Sequence, residues 1–272
     1  MAKSFGPLFP IRPFKYLLLC ALALAGCDST PNLEKLQRKA AAGNVEAQSK
    51  LASFYEELQR EADAGNVEAQ FKLASYYRQG LGVEPDLAKA RELFTRAAQA
   101  GNYDAQVNLA MFYKKGWGGP QDYGRAKELL EQAAAAGNGS AMNNLGVLYE
   151  EGAGVEQDYD KAQEWFAKAA AAGNVSSQKN LGVYYIMGTG GTQDYQKGRK
   201  LLEKAAKQGD GIAQYYLGYL YHHGYGVPQD YDKAISWYKK ASKNEKDPSA
   251  QDIAKARLKE IDSSFFSFLF DD

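Results

Sequence analysis

Apolar residues recur along this chain in a pattern that repeats every 36 residues between positions 66 and about 244. In the copy at 138–173, Ala141, Leu145 and Leu148 lie three or four residues apart, which is the spacing of one stripe on a helix. We call this first segment, 140–149, helix A. A second apolar stripe follows a glycine-containing loop and predicts helix B. Each copy is therefore expected to form one helix pair.

The same residue type returns at equivalent places in all five copies. The leucine column is Leu73, Leu109, Leu145, Leu181 and Leu217, and the tyrosine column is Tyr77, Tyr113, Tyr149, Tyr185 and Tyr221. Such a repeat is typical of a solenoid, in which each unit buries its apolar face only against its neighbours. We therefore predict an all-α fold of antiparallel helix pairs with one continuous core.

The loop between the two helices explains two more columns. Gly152 and Gly154 supply the backbone freedom that a helix end and a tight loop need. Asp158 directly precedes the apolar run of helix B, so we predict that its carboxylate caps that helix. The aligned aspartates could instead form a metal or acid array, but capping explains both their position and their identity. They are Asp86, Asp122, Asp158, Asp194 and Asp230.

The motif of one copy supports a resemblance to a known family. Its residues are Leu145-Gly146, Tyr149, Gly152-Ala153-Gly154-Val155, Asp158-Tyr159, Lys161-Ala162, Trp165 and Lys168-Ala169-Ala170. This pattern resembles the SEL-one-like repeat family, which is related to the tetratricopeptide repeats. The resemblance covers residues 66 to about 244. It implies a right-handed superhelical solenoid of antiparallel helix pairs that acts as an adaptor or partner-binding scaffold.

The chain is expected to contain five regular repeats between two capping regions. The repeats are 66–101, 102–137, 138–173, 174–209 and 210–244, preceded by an irregular N-terminal cap at 33–65 with helices 33–42 and 45–64. A C-terminal capping helix is predicted within 245–262, with Ile253, Ala254, Arg257 and Leu258 against the last pair. The apolar tail, 263–272, contains Phe265 to Phe270. We expect it to fold back over the array or to dock on a partner or membrane.

The N-terminus has the features of a secretory signal. Lys3, Arg12 and Lys15 precede an apolar run at 16–25 that is too short to span a membrane, so 1–26 is predicted to be a cleaved signal peptide. The end of this segment, Leu24-Ala25-Gly26-Cys27, resembles the bacterial lipobox. That resemblance implies that Cys27 is lipidated and that 27–32 is a short lipidated tether. The alternative is an ordinary secretory peptide with an incidental cysteine.

Lipidation at Cys27 would place the protein in the bacterial cell envelope, facing the periplasm. Asp28 follows the cysteine, and resemblance to enterobacterial lipoproteins implies inner-membrane retention, although outer-membrane sorting stays open. Because Cys20 lies in the segment predicted to be removed, no disulfide is available to the mature chain. The fold is therefore expected to depend on packing alone.

Charge and residue content indicate little catalytic chemistry. Removal of the signal peptide leaves 30 basic and 33 acidic residues without a basic tract, so nucleic acid is not an expected partner. The only histidines, His222 and His223, are adjacent, and we expect helical neighbours to point about 100° apart, which disfavours a shared metal or nucleophile. We predict no cofactor, no metal and no enzymatic activity.

Partner binding is expected on the side of the A helices that faces away from the core, because helix A lines the concave surface in helix-pair solenoids. We call the candidate residues the helix A stripe. They are Asn108, Met111, Asn144, Val147, Asn180, Val183, Tyr215, Tyr216, Tyr219 and His223. The asparagines suit an extended peptide backbone, and the last repeat concentrates the aromatic types enriched in binding hot spots. The alternative is that the same side chains pack or hydrogen-bond within the stack.

Two classes of function follow. The first is a lipid-anchored periplasmic scaffold or adaptor, monomeric apart from a protein partner. A narrower form of it is an immunity protein that neutralises a secreted antibacterial toxin such as a phospholipase, as the resemblance allows. The second class is an envelope hydrolase, because cysteine-rich members of the family have been linked to β-lactam hydrolysis. This chain lacks their paired cysteines and a catalytic constellation, which disfavours the second class.

Overall fold

The computed structural model describes the backbone of residues 31–270 and the side chains of Leu33 and 35–261. Every regular element in this part of the chain is an α-helix, which confirms the all-α class. The helices are α1 (Pro31–Ala41), α2 (Val45–Asp63), α3 (Val67–Gln79), α4 (Leu87–Gln99), α5 (Tyr103–Lys115), α6 (Tyr123–Ala135), α7 (Gly139–Glu151), α8 (Tyr159–Ala171), α9 (Val175–Met187), α10 (Tyr195–Lys207), α11 (Gly211–His223), α12 (Tyr231–Ala241) and α13 (Pro248–Phe270).

The chain divides into two compact units, Met1–Leu93 and Phe94–Asp272. In the first, α1, α2 and α3 pack in chain order. Helix α2 runs without interruption, as predicted, because no glycine or proline breaks it and Asn44 caps its start. Its Leu51, Tyr55 and Leu58 are buried. The Tyr55 hydroxyl donates to the Leu81 carbonyl and so ties α2 to the loop after α3.

In the second unit, consecutive helices from α5 to α13 pack in chain order, and neighbouring pairs stack on one another. The leucine column forms the centre of this core: Leu109, Leu145, Leu181 and Leu217 are at most 5% exposed. Helix A therefore faces the core with the side that the periodicity predicted. Burial of these side chains in close-packed surroundings is the main stabilising contribution of each repeat.

Helix A ends and helix B begins through one recurring arrangement. Gly152 ends α7 in the left-handed conformation at φ 67°, which a side chain would disfavour. The Asp158 N–H then donates to the Tyr149 carbonyl at 2.9 Å. Its Oδ1 accepts from the Lys161 N–H at 2.9 Å, and its Oδ2 lies 3.0 Å from the Lys161 ammonium. The aspartate is thus a helix cap, as predicted, and the equivalent residues of the other repeats accept the same bond.

The tyrosine column is less buried than the leucine column. Tyr77 is 5% exposed, whereas its four counterparts are half-buried. A cation from the first turn of helix B lies over each ring, and the pairs are Tyr77 with Lys89, Tyr113 with Arg125, Tyr149 with Lys161, Tyr185 with Lys197 and Tyr221 with Lys233. The aspartate cap and this cation–π contact together join the two helices of a repeat at their loop end.

Glycine in the middle of helix A permits close approach of helix B. A Cβ added to Gly146 would lie 2.6 Å from Cε1 of Phe166, a fully buried ring of α8. Gly218 has the same relation to Tyr238, with 2.7 Å to the ring. The helix propensity lost at glycine is therefore offset by burial of an aromatic ring against the backbone.

The C-terminal helix is longer than predicted. Helix α13 continues to Phe270, so the expected end near residue 262 is wrong. No glycine or proline interrupts 249–270, and the sequence offers the helix no stop signal there. Ala250 and Ala254 are fully buried against the array, but Ile253, which we expected to pack there, is 39% exposed. Small residues thus lie on the side of α13 that faces α11 and α12, and they allow the backbone of α13 to approach these two helices closely.

Candidate partner-binding surface on the A helices

The helix A stripe extends over four helices of the second unit, α5, α7, α9 and α11. Asn108 and Met111 are on α5, Asn144 and Val147 on α7, Asn180 and Val183 on α9, and Tyr215, Tyr216, Tyr219 and His223 on α11. His223 is exposed and the other nine are half-buried. Whether a partner contacts them is decided by how much of each side chain is already used inside the protein.

The asparagines of the stripe use their amide groups internally. The Nδ2 groups of Asn108 and Asn144 donate to the carbonyls one turn earlier in their own helices, Asp104 O at 2.8 Å and Ser140 O at 2.9 Å. Asn180 Nδ2 instead reaches the preceding A helix and donates to Asn143 Oδ1 at 3.2 Å. Each of these amide groups thus already uses an N–H inside the protein.

Asn143 is the centre of a small polar junction between α7 and α9. Its Oδ1 accepts a second bond, from the Ser177 hydroxyl at 2.8 Å, and Ser177 is fully buried. For Asn180 the structure therefore favours the interpretation that it bonds within the stack. Asn143 directly precedes a residue of the stripe, but the sequence analysis did not select it. Its role as an acceptor depends on Ser177, which lies 34 positions away in the next repeat.

Other polar links between neighbouring A helices were missed by the sequence analysis. The Lys114 ammonium on α5 lies 2.6 Å from the Glu151 carboxylate on α7, although Lys114 is only 8% exposed. The Tyr184 hydroxyl on α9 donates to Glu150 Oε1 at 2.8 Å. Burial, the hydrogen bond and the negative charge of Glu150 all raise the pKa of Tyr184. The separations of 34 to 37 residues, close to one repeat, are the signal by which these pairs could have been found.

The valines of the stripe face their neighbours more than solvent. Val147 packs against the buried cluster that contains Phe166, Leu181 and Tyr184. Val183 packs against the next cluster, which contains Leu202 and Leu217. In the middle of the stripe, these contacts therefore pack neighbouring A helices against each other. The apolar surface there is only partly available to a partner.

Helix α11 differs because its stripe is aromatic. Tyr216 packs against the cluster that contains Leu217 and Leu220, and burial raises the pKa of its hydroxyl. Tyr215 lies between Tyr238 of α12, with ring centroids 5.6 Å apart, and Arg257 of α13, whose Nε is 3.5 Å from its hydroxyl. These two tyrosines therefore contribute to folding as well as to the surface.

Tyr219 and His223 form the outer part of this aromatic surface. Their ring centroids are 4.4 Å apart, and both rings contact Tyr225 in the following loop, at 5.8 Å and 5.3 Å. Tyr225 is 37% exposed and stacks in turn on Tyr195 of α10. Sequence reasoning missed Tyr225 because it lies outside helix A, yet the turn after α11 brings it onto the same surface. We call Tyr219, His223 and Tyr225 the aromatic triad.

The histidine pair does not have the expected orientation. The rings of His222 and His223 stack with centroids 4.6 Å apart, so the prediction that they point in divergent directions is wrong. Side-chain torsions bring both rings together, His223 towards Tyr219 and His222 towards Tyr231 and Tyr238. Partial burial, His223 and the Arg257 cation lower the pKa of His222. Among the described residues, no group of three or more His, Cys, Asp or Glu could hold a metal ion.

The predicted anchor residue, Cys27, and the signal peptide lie outside the described residues. Within 31–270, no helix combines the length and the apolar character needed to cross a membrane. The side chains of the predicted tail from Phe265 to Phe270 are also outside the described set. The described part of the chain thus bears on the partner-binding surface and not on the anchor.

Comparison with protein families gives one repeated match. The family model "Sel1 repeat" matches five times and covers well over half of the chain, at 67–102, 104–138, 139–174, 175–210 and 211–245. This confirms both the resemblance and the number of repeats. Proteins built from this repeat are scaffolds that generally bind protein partners. Comparison with curated proteins gives no match.

Solved structures with similar folds include a Sel1 repeat protein from Oxalobacter formigenes, 28% identical, with a TM-score of 0.65 over 79% of this chain and 85% of that one. A protective antigen with an SLR fold from uropathogenic Escherichia coli strains is 32% identical, with a TM-score of 0.60. The match to it covers 77% of this chain and 48% of that chain, so this chain corresponds to about half of its length. The immunity protein PA5088 from Pseudomonas aeruginosa, 24% identical over 65% of this chain and 64% of that one, has the same fold with a TM-score of 0.50.

Proposed function

Since this chain belongs to the Sel1 repeat family, we propose that it acts as a lipid-anchored scaffold that faces the periplasm and binds a protein partner through its A helices. The proposal combines a membrane anchor at Cys27 with a binding surface centred on the last A helix, α11. The non-catalytic character of repeat scaffolds and the sequence content of this chain agree with binding rather than catalysis.

The aromatic triad is the observation that carries the binding half of the proposal. Large aromatic side chains supply much contact area at low conformational cost, and Tyr and Trp are enriched at binding hot spots. Tyr219, His223 and Tyr225 hold one another by ring contacts at the surface, so little side-chain entropy is left to lose when a partner covers them. Elsewhere in the stripe, Val147 and Val183 are engaged with the core.

The binding half can be tested with partner capture from detergent-solubilised membranes. A Tyr219→Ala, His223→Ala double variant should weaken the partner complex by about 2 kcal/mol or more, because two hot-spot rings are lost. Tyr159→Ala is the matched control, since Tyr159 is also a surface tyrosine, 43% exposed, at the start of a B helix. Binding by the double variant at the level of the control would contradict the assignment, provided circular dichroism shows both variants folded.

The anchor half depends on the segment Leu24-Ala25-Gly26-Cys27, which resembles a lipobox. A Cys27→Ser variant should pass from the membrane to the soluble fraction, because one thioether-linked lipid can no longer form. Labelling with a radioactive or clickable fatty acid should be lost in the same variant. Membrane retention together with normal removal of residues 1–26 would count against lipidation.

An immunity role would be a narrower form of the same function. It requires that the captured partner be a toxin and that the aromatic triad be needed for protection against it. The same double variant therefore distinguishes the two roles in a competition assay. Cells that express it should survive a toxin-producing competitor if the protein is a general scaffold, and should be killed if the protein is an immunity protein. The identity of the captured protein, determined by mass spectrometry, gives the second criterion.

A further inference from the structure

The two histidines of the chain form a stacked pair in the last turn of α11. The ring centroids of His222 and His223 lie 4.6 Å apart, and the ring planes differ by 10°. Tyr225 also stacks on His223, with centroids 5.3 Å apart and an interplanar angle of 19°. These are the only histidines in the sequence. Since an imidazole gains or loses its proton between about pH 5 and pH 8, the charge of this pair changes within that range.

The surroundings of His222 suit a neutral imidazole. Its ring is half-buried against Tyr231 and Tyr238 of α12, with centroid distances of 5.4 Å and 6.2 Å. Within the described residues, its buried Nδ1 has no hydrogen-bond partner. A neutral imidazole can leave this nitrogen unprotonated, whereas an imidazolium must carry an N–H at both nitrogens. A proton on His222 would therefore leave a buried N–H without an acceptor, which is costly.

The charges around the pair also oppose a second proton. Helix α12 and the loop after α11 face the pair with tyrosines, whose phenol groups are uncharged near neutral pH. Helix α13 contributes Arg257 and Glu260, which are paired with each other at 2.6 Å. Two imidazolium rings 4.6 Å apart would repel each other, and Glu260 is already engaged by Arg257. Burial, His223 and Arg257 accordingly lower the pKa of His222, with a smaller opposite contribution from Glu260.

The same histidine connects α11 with the C-terminal capping helix, α13. Tyr238 of α12 is fully buried, and its ring contacts both His222 and Tyr215, the latter with centroids 5.6 Å apart. The Tyr215 hydroxyl lies 3.5 Å from Nε of Arg257 on α13. Ala254, one helical turn before Arg257, is fully buried against the array. The cluster of His222, Tyr215, Tyr238 and Arg257 therefore joins three helices, and a charge added to it acts on how α13 is held.

We propose that the histidine pair is a pH-sensitive switch that controls the attachment of α13. While the pair carries at most one proton, the rings stay stacked and α13 stays packed on α11 and α12. A second proton makes the rings repel each other and Arg257, so one ring leaves the stack and α13 loosens. Because His223 belongs to the aromatic triad, the switch also acts on the proposed partner surface. That consequence rests on the proposed function, whereas the switch itself does not.

The direction of the pH effect follows from the lowered pKa of His222. Its folded-state pKa lies below the usual 6.5, so the unfolded chain binds more protons and stability falls as pH falls below that value. Between about pH 7.5 and about pH 5, the unfolding equilibrium constant of the wild type should therefore rise about tenfold more than that of His222→Phe. Phenylalanine keeps a ring against Tyr231 and Tyr238 but takes no proton. Denaturant melts of the untagged full-length chain in detergent measure both proteins, and equal changes in them overturn the proposal.

The second test locates the effect along the chain. Because the sequence has no other histidine, NMR of the side-chain imidazoles should show two separate protonation steps that belong to the pair. After the second step, the amide protection factors of α13, corrected for the intrinsic effect of pH on exchange, should fall at least about tenfold, while those of α7 stay constant. His223→Phe, which removes the repulsion within the pair, should reduce that fall. A single common protonation step, or an equal loss of protection in α7 and α13, would overturn the proposal.

Discussion

Two junctions between neighbouring A helices use different chemistry. Helices α7 and α9 meet through Asn143, which accepts hydrogen bonds from Ser177 and Asn180. Helices α9 and α11 meet through apolar and aromatic side chains, with Val183 and Tyr216 packed on the cluster around Leu217. The backbone repeat is the same at both places, so the difference comes from the side chains alone.

This difference separates internal contact from binding surface. At the α7–α9 junction, Ser177 and Asn180 donate to Asn143, so these polar groups are used within the protein. At α11, the last A helix, no further A helix follows within the described residues, and the aromatic triad remains at the surface. Equivalent positions of the repeat can therefore form internal contacts between helices in the middle of the array and a candidate interface at its end.

The largest expected effect concerns the core that both junctions share. Leu145→Ala and Leu217→Ala should each lower the free energy of unfolding by roughly 2–5 kcal/mol, because both side chains are fully buried. Denaturant melts with circular dichroism would measure this. A small loss of stability at only one of the two positions would show that the core leucines of the two repeats do not contribute equally to folding.

The aromatic junction should separate folding from binding within one helix. Tyr216→Ala should cost about 1–2 kcal/mol of stability, since its ring packs on the Leu217 cluster. Tyr219→Ala should leave the melt near wild type and weaken the partner complex by about 2 kcal/mol. Thermal melts and partner titrations on the two single variants give the comparison. An unfolded Tyr219→Ala variant would place that ring in the core.

The polar junction should be sensitive at Asn143 and less so at Asn144. Asn143→Ala removes an acceptor of two bonds and leaves the buried Ser177 hydroxyl unpaired, which should cost about 1–3 kcal/mol. Asn144→Ala removes one bond to its own helix and should cost about 0.5 kcal/mol. Equal losses in denaturant melts would indicate that the bonds between the two helices contribute nothing beyond those within one helix.

The smallest expected effect is at the start of α11, where Asp210 caps the helix in a column that otherwise holds asparagine. Burial, with a smaller contribution from Asp247, raises the pKa of Asp210 above its usual value. The folded state therefore binds more protons than the unfolded state, and stability should fall as pH rises from about 3.8 through the raised pKa. Asp210→Asn should remove this slope and increase stability at pH 7 by under about 1 kcal/mol. Denaturant melts of the wild type and the variant at pH 4 and pH 7 would measure this. The same change in stability between the two pH values in both proteins would contradict the role of Asp210.

Most of the repeat architecture could be predicted from the chain itself. Five aligned copies of the motif around Leu145 specify two helices, a loop and a cap, because helix spacing, glycine and aspartate act locally. The cap at Asp158 was confirmed for this reason. The end of the C-terminal helix was predicted too early, because the change in composition after Ile261 is not a stop signal for the backbone.

The candidate surface depended more on tertiary structure. Asn144 and Asn180 are equivalent in the repeat, yet one bonds to its own helix and the other to α7. Stacking also brings Tyr225 from a loop onto the ring of His223. The sequence alone thus determined the repeat, its core column and its caps, which are set by contacts within about one helix pair. Only the tertiary structure decided which polar and aromatic side chains remain available, because that depends on the particular residue that the next repeat places opposite each one.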